Sequence, residues 1–189
     1  MLRTMFRTML AVIFCTSLVF AKDQAQDTTG ATFAAAGCGP SKIQFDVKAD
    51  KNQHPLPQPE PGKAMVYVYE DDSGACGGGG CTARVGLDGA WVGANKGRSY
   101  FFFSVTPGDH RVCSAWQSSI KELSQTGAAL PLTVEAGKVY YIRTTLTDKP
   151  SLKLKLIGGL NGPMQILPLA YSTLEAKNQP PVYQPANPE

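Results

Sequence analysis

From Lys63 onward the chain repeats one pattern: a short β-branched or aromatic run, then a turn, about every eight to twelve residues. Ala64 to Glu70 (AMVYVYE) stops at Asp71-Asp72-Ser73-Gly74. TARVGLD reaches Asp88-Gly89, a favoured two-residue hairpin turn, and continues as AWVGA. SYFFFSV ends at Thr106-Pro107-Gly108-Asp109, and HRVCSAWQ, LPLTVEA, KVYYIRTTL and SLKLKLI follow. This rhythm predicts an all-β fold, an antiparallel β-sandwich of about 7–8 short strands, with a barrel as the other solution. The domain is placed at residues 63–177, long enough for one core. Ser118 to Gln125 reads as a short helix or an irregular excursion, and Gly158 to Pro163 as a loop. Met164 to Leu167 reads as a last strand and Leu169 to Lys177 as a short helix. The proline-rich tail, residues 178–189, is expected to be disordered.

The chain begins with a different signature. Arg3 and Arg7 precede an apolar run from Met9 to Phe20, too short to span a bilayer but suited to a signal peptide. Val19-Phe20-Ala21 offers a cleavage site, so residues 1–21 are expected to be removed on secretion, to the periplasm or beyond. Cleavage takes two arginines and no acid from a chain of net charge +3. The near-neutral remainder gives no electrostatic case for nucleic acid. No later stretch is long and apolar enough for a transmembrane helix. Phe33-Ala-Ala-Ala-Gly-Cys38 ends like a lipobox, but the polar segment from Lys22 to Gly30 separates it from the apolar run. A lipid anchor at Cys38 is therefore the lesser alternative.

Residues 22–62 read as a flexible leader. Within it Ile43, Phe45 and Val47 alternate with polar residues, as in a half-buried edge strand. Prolines at 55, 57, 59 and 61 then favour an extended connector that cannot enter a central strand. A linker packed over a sheet edge is preferred to a partner-binding peptide.

The turns carry a resemblance. Asp88-Gly89, Val92-Gly93 and Pro107-Gly108-Asp109-His110 are similar to the turns of PEGA-like and carboxypeptidase-regulatory-like β-sandwich modules. With Ala136 to Arg143 (AGKVYYIR), the stretch from Lys63 to Ile157 resembles the bacterial domain-of-unknown-function family 2846, found in predicted secreted proteins and lipoproteins. The resemblance implies a sandwich and no established activity, and it hands over no catalytic residue. The insertion from Cys76 to Cys81 departs from its simplest pattern.

That insertion, Cys76-Gly-Gly-Gly-Gly-Cys81, is not a phosphate loop, because Gly-Lys-Ser/Thr and a following helix are missing. Cys76, Cys81, Cys113 and His110 are the right ligand types for zinc, but the spacings are loose and export favours disulfides over thiolates. Loss of Cys15 with the signal peptide leaves Cys38, Cys76, Cys81 and Cys113, four cysteines with three connectivities. The favoured one pairs Cys76 with Cys81 across the glycines and Cys38 with Cys113. No cofactor and no resident metal are expected.

Hydrolase chemistry lacks its parts. His54 lies among the prolines, His110 begins a strand, and no nucleophile elbow is present. Glu70, Asp71 and Asp72 read as a solvated strand end rather than a calcium site. The aromatic residues belong mainly to the core, and any exposed remainder would bind. Trp91, Tyr100 and Trp116, with the loops holding Asp71, Asp72 and residues 96–99, are the candidate contact surface. The expectation is a non-catalytic envelope module that binds a protein or cell-wall glycan. A metal-binding protein or enzyme using His110 with thiolates is the alternative, and a structural lipoprotein anchored at Cys38 another.

Overall fold

The computed structural model describes residues 27–28, 31–32, 37–71, 81–147, 151–159 and 161–176. They form a sandwich of two sheets. The seven-stranded sheet runs in the order β1 (Asp27–Thr28), β11 (Ser151–Ile157), β10 (Val139–Thr147), β4 (Ala64–Glu70), β7 (Ser99–Val105), β12 (Ala170–Ala176), β3 (Phe45–Asp50). The five-stranded sheet runs β2 (Ala31–Thr32), β9 (Thr126–Val134), β8 (Gly108–Gln117), β5 (Thr82–Leu87), β6 (Ala90–Lys96). Two short helices, α1 (Lys121–Ser124) and α2 (Asn161–Ile166), interrupt the strands.

The sandwich is not wholly antiparallel. β4 and β10 pair in parallel, as do β7 and β12. Parallel neighbours need long crossovers, and in both cases a large part of the chain intervenes. The C-terminal assignments also exchange places. Residues 161–166 form a helix, with Pro163 in a first turn where its missing N–H removes no intrahelical bond. Residues 170–176, expected to be helical, form β12, because β3 and β7 offer open edges on both sides.

Alternation fixes the main core. Ala64, Val66 and Val68 of β4 meet Phe101 and Phe103 of β7, and across the gap Ala83, Val85, Trp116 and Leu130 close the cluster. Yet β4 is buried along its whole length. Its other face carries Met65, Tyr67 and Tyr69, which pack with Tyr100, Ile166 and Leu169 in a second apolar layer outside the sheet. A strand covered on both sides reads as a continuous apolar run, as AMVYVYE does.

The outer face of the five-stranded sheet is covered as well. Cys113 and Ala115, which alternate with the inward Val112 and Trp116, pack against Cys38, Phe45, Val47 and Trp91. The edge strand expected from the alternation of Ile43, Phe45 and Val47 is present, within residues 37–50. These residues cross this face and enter the seven-stranded sheet as its edge strand, β3.

Candidate functional site

Three constellations gather the side chains with chemical potential. The first lies at one end of the sandwich. Asp88 (φ 51°) and Gly89 (φ 87°) turn the β5–β6 hairpin in the left-handed region that Asp tolerates and Gly favours. The Asp88 carboxylate accepts the Arg111 N–H at 2.8 Å and the His110 Nδ1–H at 2.7 Å. The other ring nitrogen of His110 donates to the Thr106 carbonyl at 2.8 Å. Both partners are acceptors, so the doubly protonated ring satisfies both. Desolvation pulls the His110 pKa down, but the bonds to Asp88 and Thr106 and the charges of Asp88 and Asp109 outweigh it and raise it above the usual value. Desolvation likewise pushes Asp88 up, and its bonds to His110 and Arg111 together with the His110 charge bring it below the ordinary carboxylate.

The second constellation locks the leader. The disulfide Cys38–Cys113 spans 75 residues with Cα atoms 5.4 Å apart, and both cysteines are buried. Beside it the buried Arg84 donates to the carbonyls of Ser41 (3.1 Å), Ile43 (2.6 Å) and Trp116 (3.3 Å). Its guanidinium lies 4.6 Å from the Trp91 ring centroid, and Trp91 Nε1 donates to the Pro40 carbonyl. Desolvation lowers Arg84 to about 10, which leaves it charged at neutral pH. Gln117 completes the lock: its Oε1 accepts the Phe45 N–H at 2.7 Å and its Nε2 donates to the Phe45 carbonyl at 2.9 Å. A side-chain amide thus does the work of a strand partner.

The third lies on the outer face of the seven-stranded sheet. Residues 51–63 connect the edge strand β3 to β4, which stands three places inward, so they must cross β12 and β7. Proline nitrogens cannot donate, so at positions 55, 57, 59 and 61 the main chain offers a partner only its carbonyls. Tyr100 donates its hydroxyl to the Pro55 carbonyl at 3.0 Å and Tyr67 to the Pro57 carbonyl at 2.7 Å. Pro55, Pro57 and Pro59 are half-buried, while Leu56, Gln58 and Glu60 point outward. Tyr67 stacks on Tyr141 (5.2 Å between centroids), and Phe102 stacks on Tyr171 (5.6 Å). The remainder of the face is covered by α2, whose Gln165 accepts the Tyr69 hydroxyl and whose Gly162 sits directly on the Tyr141 ring. Burial raises Tyr69 and Tyr100 to about 12 and Tyr67 further still, so all three remain protonated donors.

Measured against the expected surface, the structure makes clear corrections. Trp91, Tyr100 and Trp116 are 6%, 0% and 1% exposed, so none of them offers a contact surface. Each lies under a cover: the leader over Trp91, the proline segment over Tyr100, the opposite sheet over Trp116. In the 96–99 loop Ser99 is buried and bonds to Ser172, which leaves Lys96 and Arg98 exposed. Asp71 is half-buried and accepts from Arg143 Nε at 3.0 Å, while its neighbour Glu70 turns inward and is buried. Asp72 and Cys76 lie outside the described residues.

The sulfur assignments follow the same course. Cys38 is bonded to Cys113, so its sulfur is not available for a lipid thioether. Cys81 is also disulfide-bonded. With Cys81 and Cys113 oxidised and both His110 nitrogens engaged, these residues cannot act together as zinc ligands. Among the described residues no group of three or more His, Cys, Asp or Glu converges as metal ligands. None of the described helices is long and apolar enough to cross a membrane. Sequence reasoning missed Arg84 and Gln117. An arginine alone within an otherwise apolar strand, TARVGL, was the available signal.

These features define a β-sandwich module whose two outer faces are covered by its own chain, by the segments before β4 on both faces and by α2 on one. The family model described as "Protein of unknown function (DUF2846)" matches residues 60–159, and the chain belongs to that family. No curated protein and no solved structure matches it.

Proposed function

We propose that the chain is an exported, non-catalytic module of the cell envelope that binds another protein. The buried Cys38–Cys113 disulfide carries the reading, because such a bond forms and persists in oxidising compartments. The basic and apolar start of the sequence, read as a signal peptide over residues 1–21, agrees with it. His110 favours a structural role, since a ring with two engaged nitrogens has no lone pair for a substrate proton.

A protein partner is favoured over a glycan. Sugar rings stack on exposed aromatic platforms, and Trp91, Tyr100 and Trp116 are buried. Among the described residues the exposed large apolar side chains are Ile120 (55%) beside α1 and, on two other segments, Leu56 (43%) on the proline segment and Met164 (71%) with Leu167 (56%) at α2. Both segments cover the same tyrosine-rich face, and aliphatic exposure of this kind suits a protein surface.

A photo-crosslinking residue placed at 164 in the full chain, in the cells that produce it, tests the proposal. A discrete protein adduct is expected from position 164 and not from position 120, which lies beside α1 at the other sheet. Absence of an adduct from 164, or an enzymatic turnover that falls in His110→Ala, would overturn it.

A further inference from the structure

The tyrosine-rich face holds the segment that crosses it through the hydroxyls of Tyr67 and Tyr100. We infer that this face is a recognition site for proline-rich peptide segments, occupied in this structure by the chain's own residues 55–59. The inference rests on the protein-binding reading and names the chemistry of the partner.

Three observations support it. The face reads backbone carbonyls two residues apart, at Pro55 and Pro57, through the hydroxyls of Tyr100 and Tyr67. Carbonyls are the only main-chain groups a proline offers, so a row of hydroxyl donors on an aromatic floor fits proline and has no use for an N–H. The floor is aromatic, with Tyr67 stacked on Tyr141 and tilted against Phe102 and Tyr100. Proline-rich ligands are held by aromatic-lined grooves for this reason: the ring packs on the aromatic faces and the fixed φ reduces the entropy lost on binding. Finally, the crossing segment forms no strand pairing between residues 53 and 60, and only alternate residues are half-buried. Its hold is local, and no sheet hydrogen bond has to break for it to leave.

The occupant from outside is a partner polypeptide with prolines at alternate positions. It competes with an internal segment whose effective concentration, for a short tether, is about millimolar. The intact chain therefore binds such a partner weakly, by the fraction of time the face is open.

The test uses the full, disulfide-bonded chain carrying Pro55→Gly, Pro57→Gly and Pro59→Gly. The probe is a synthetic peptide of residues 53–62, QHPLPQPEPG. Calorimetry should give one saturable site, about tenfold or more tighter than in the unaltered chain. Adding Tyr67→Phe and Tyr100→Phe should weaken it at least fivefold, and a peptide with its prolines replaced by alanine should not bind. A folded variant that ignores the peptide, or binds the alanine version equally, overturns the inference even if crosslinking at 164 succeeds. Tighter binding of the chain's own residues 179–188 would assign the site to that segment and overturn the partner assignment. If the triple variant does not fold, the unaltered chain decides. Millimolar peptide must then shift the ring resonances of Tyr67 and Tyr100, and no shift overturns the proposal.

Discussion

Gly93 shows what a single position contributes. A Cβ there would overlap the Phe101 ring, which lies in the core between the sheets. Gly93→Ala should therefore cost about 1–3 kcal/mol through overpacking, read as a lower urea midpoint at unchanged m. His110 gives a pH-dependent counterpart. Its pKa is raised from 6.5, so its contribution is full below that value and is lost as pH rises through the folded-state value. Asp88 is lowered from 3.8, so its contribution is present above that value and is lost as pH falls through the folded-state value. Stability from the pair is thus greatest between about pH 4 and 6.5 and declines on the alkaline side. His110→Gln should abolish the alkaline decline in thermal melts, an effect of at most about 1 kcal/mol because Asp88 is half-exposed. An unchanged profile in the variant would show that the ring does not link these turns.

At the scale of elements, the leader segment and β3 depend on ties remote in sequence. Replacing Cys38 and Cys113 by serine reopens a 75-residue loop and should cost about 4 kcal/mol by chain entropy. Arg84→Lys is expected to act more locally. A lysine keeps the charge but loses the planar fork that reaches Ser41, Ile43 and Trp116 together. Amide exchange should then rise in β3 by about tenfold or more while β8 and β9 stay protected; uniform loss of protection would contradict a local lock. None of this was visible in composition. The alternation of Ile43, Phe45 and Val47 announced a strand, but a pattern of period two does not say which sheet receives it. The same limit explains β12. Leu174-Glu175-Ala176-Lys177 favours helix locally, and the two strand edges flanking residues 170–176 override that preference. Pro163, by contrast, marked the first turn of α2 in plain view and was read as part of a loop.

For the molecule as a whole, the turn chemistry carried the fold. Asp88-Gly89 makes the hairpin turn, Gly93 admits Phe101, and His110 ties the following turn to the first. The sheet rhythm was legible for the same reason, since turns and alternation are local properties. Strand direction was not: β4 meets β10 in parallel across a separation no local pattern encodes. The candidate site was legible only in its ingredients. Prolines and tyrosines were conspicuous, but which aromatics are covered, and by what, depends on the crossing from β3 to β4. Solvent exposure is a property of the assembled chain, which is why Trp91, Tyr100 and Trp116 were misplaced and Met164 was overlooked.

The central claim is that the sulfurs of the sandwich are covalently engaged in holding it together. Peptide mapping without reduction, on mature protein recovered from its native compartment under alkylation, tests this most directly. It should return Cys38 linked to Cys113 and no alkylated cysteine. Alkylated Cys38 and Cys113, accompanied by a stoichiometric metal ion, would contradict it.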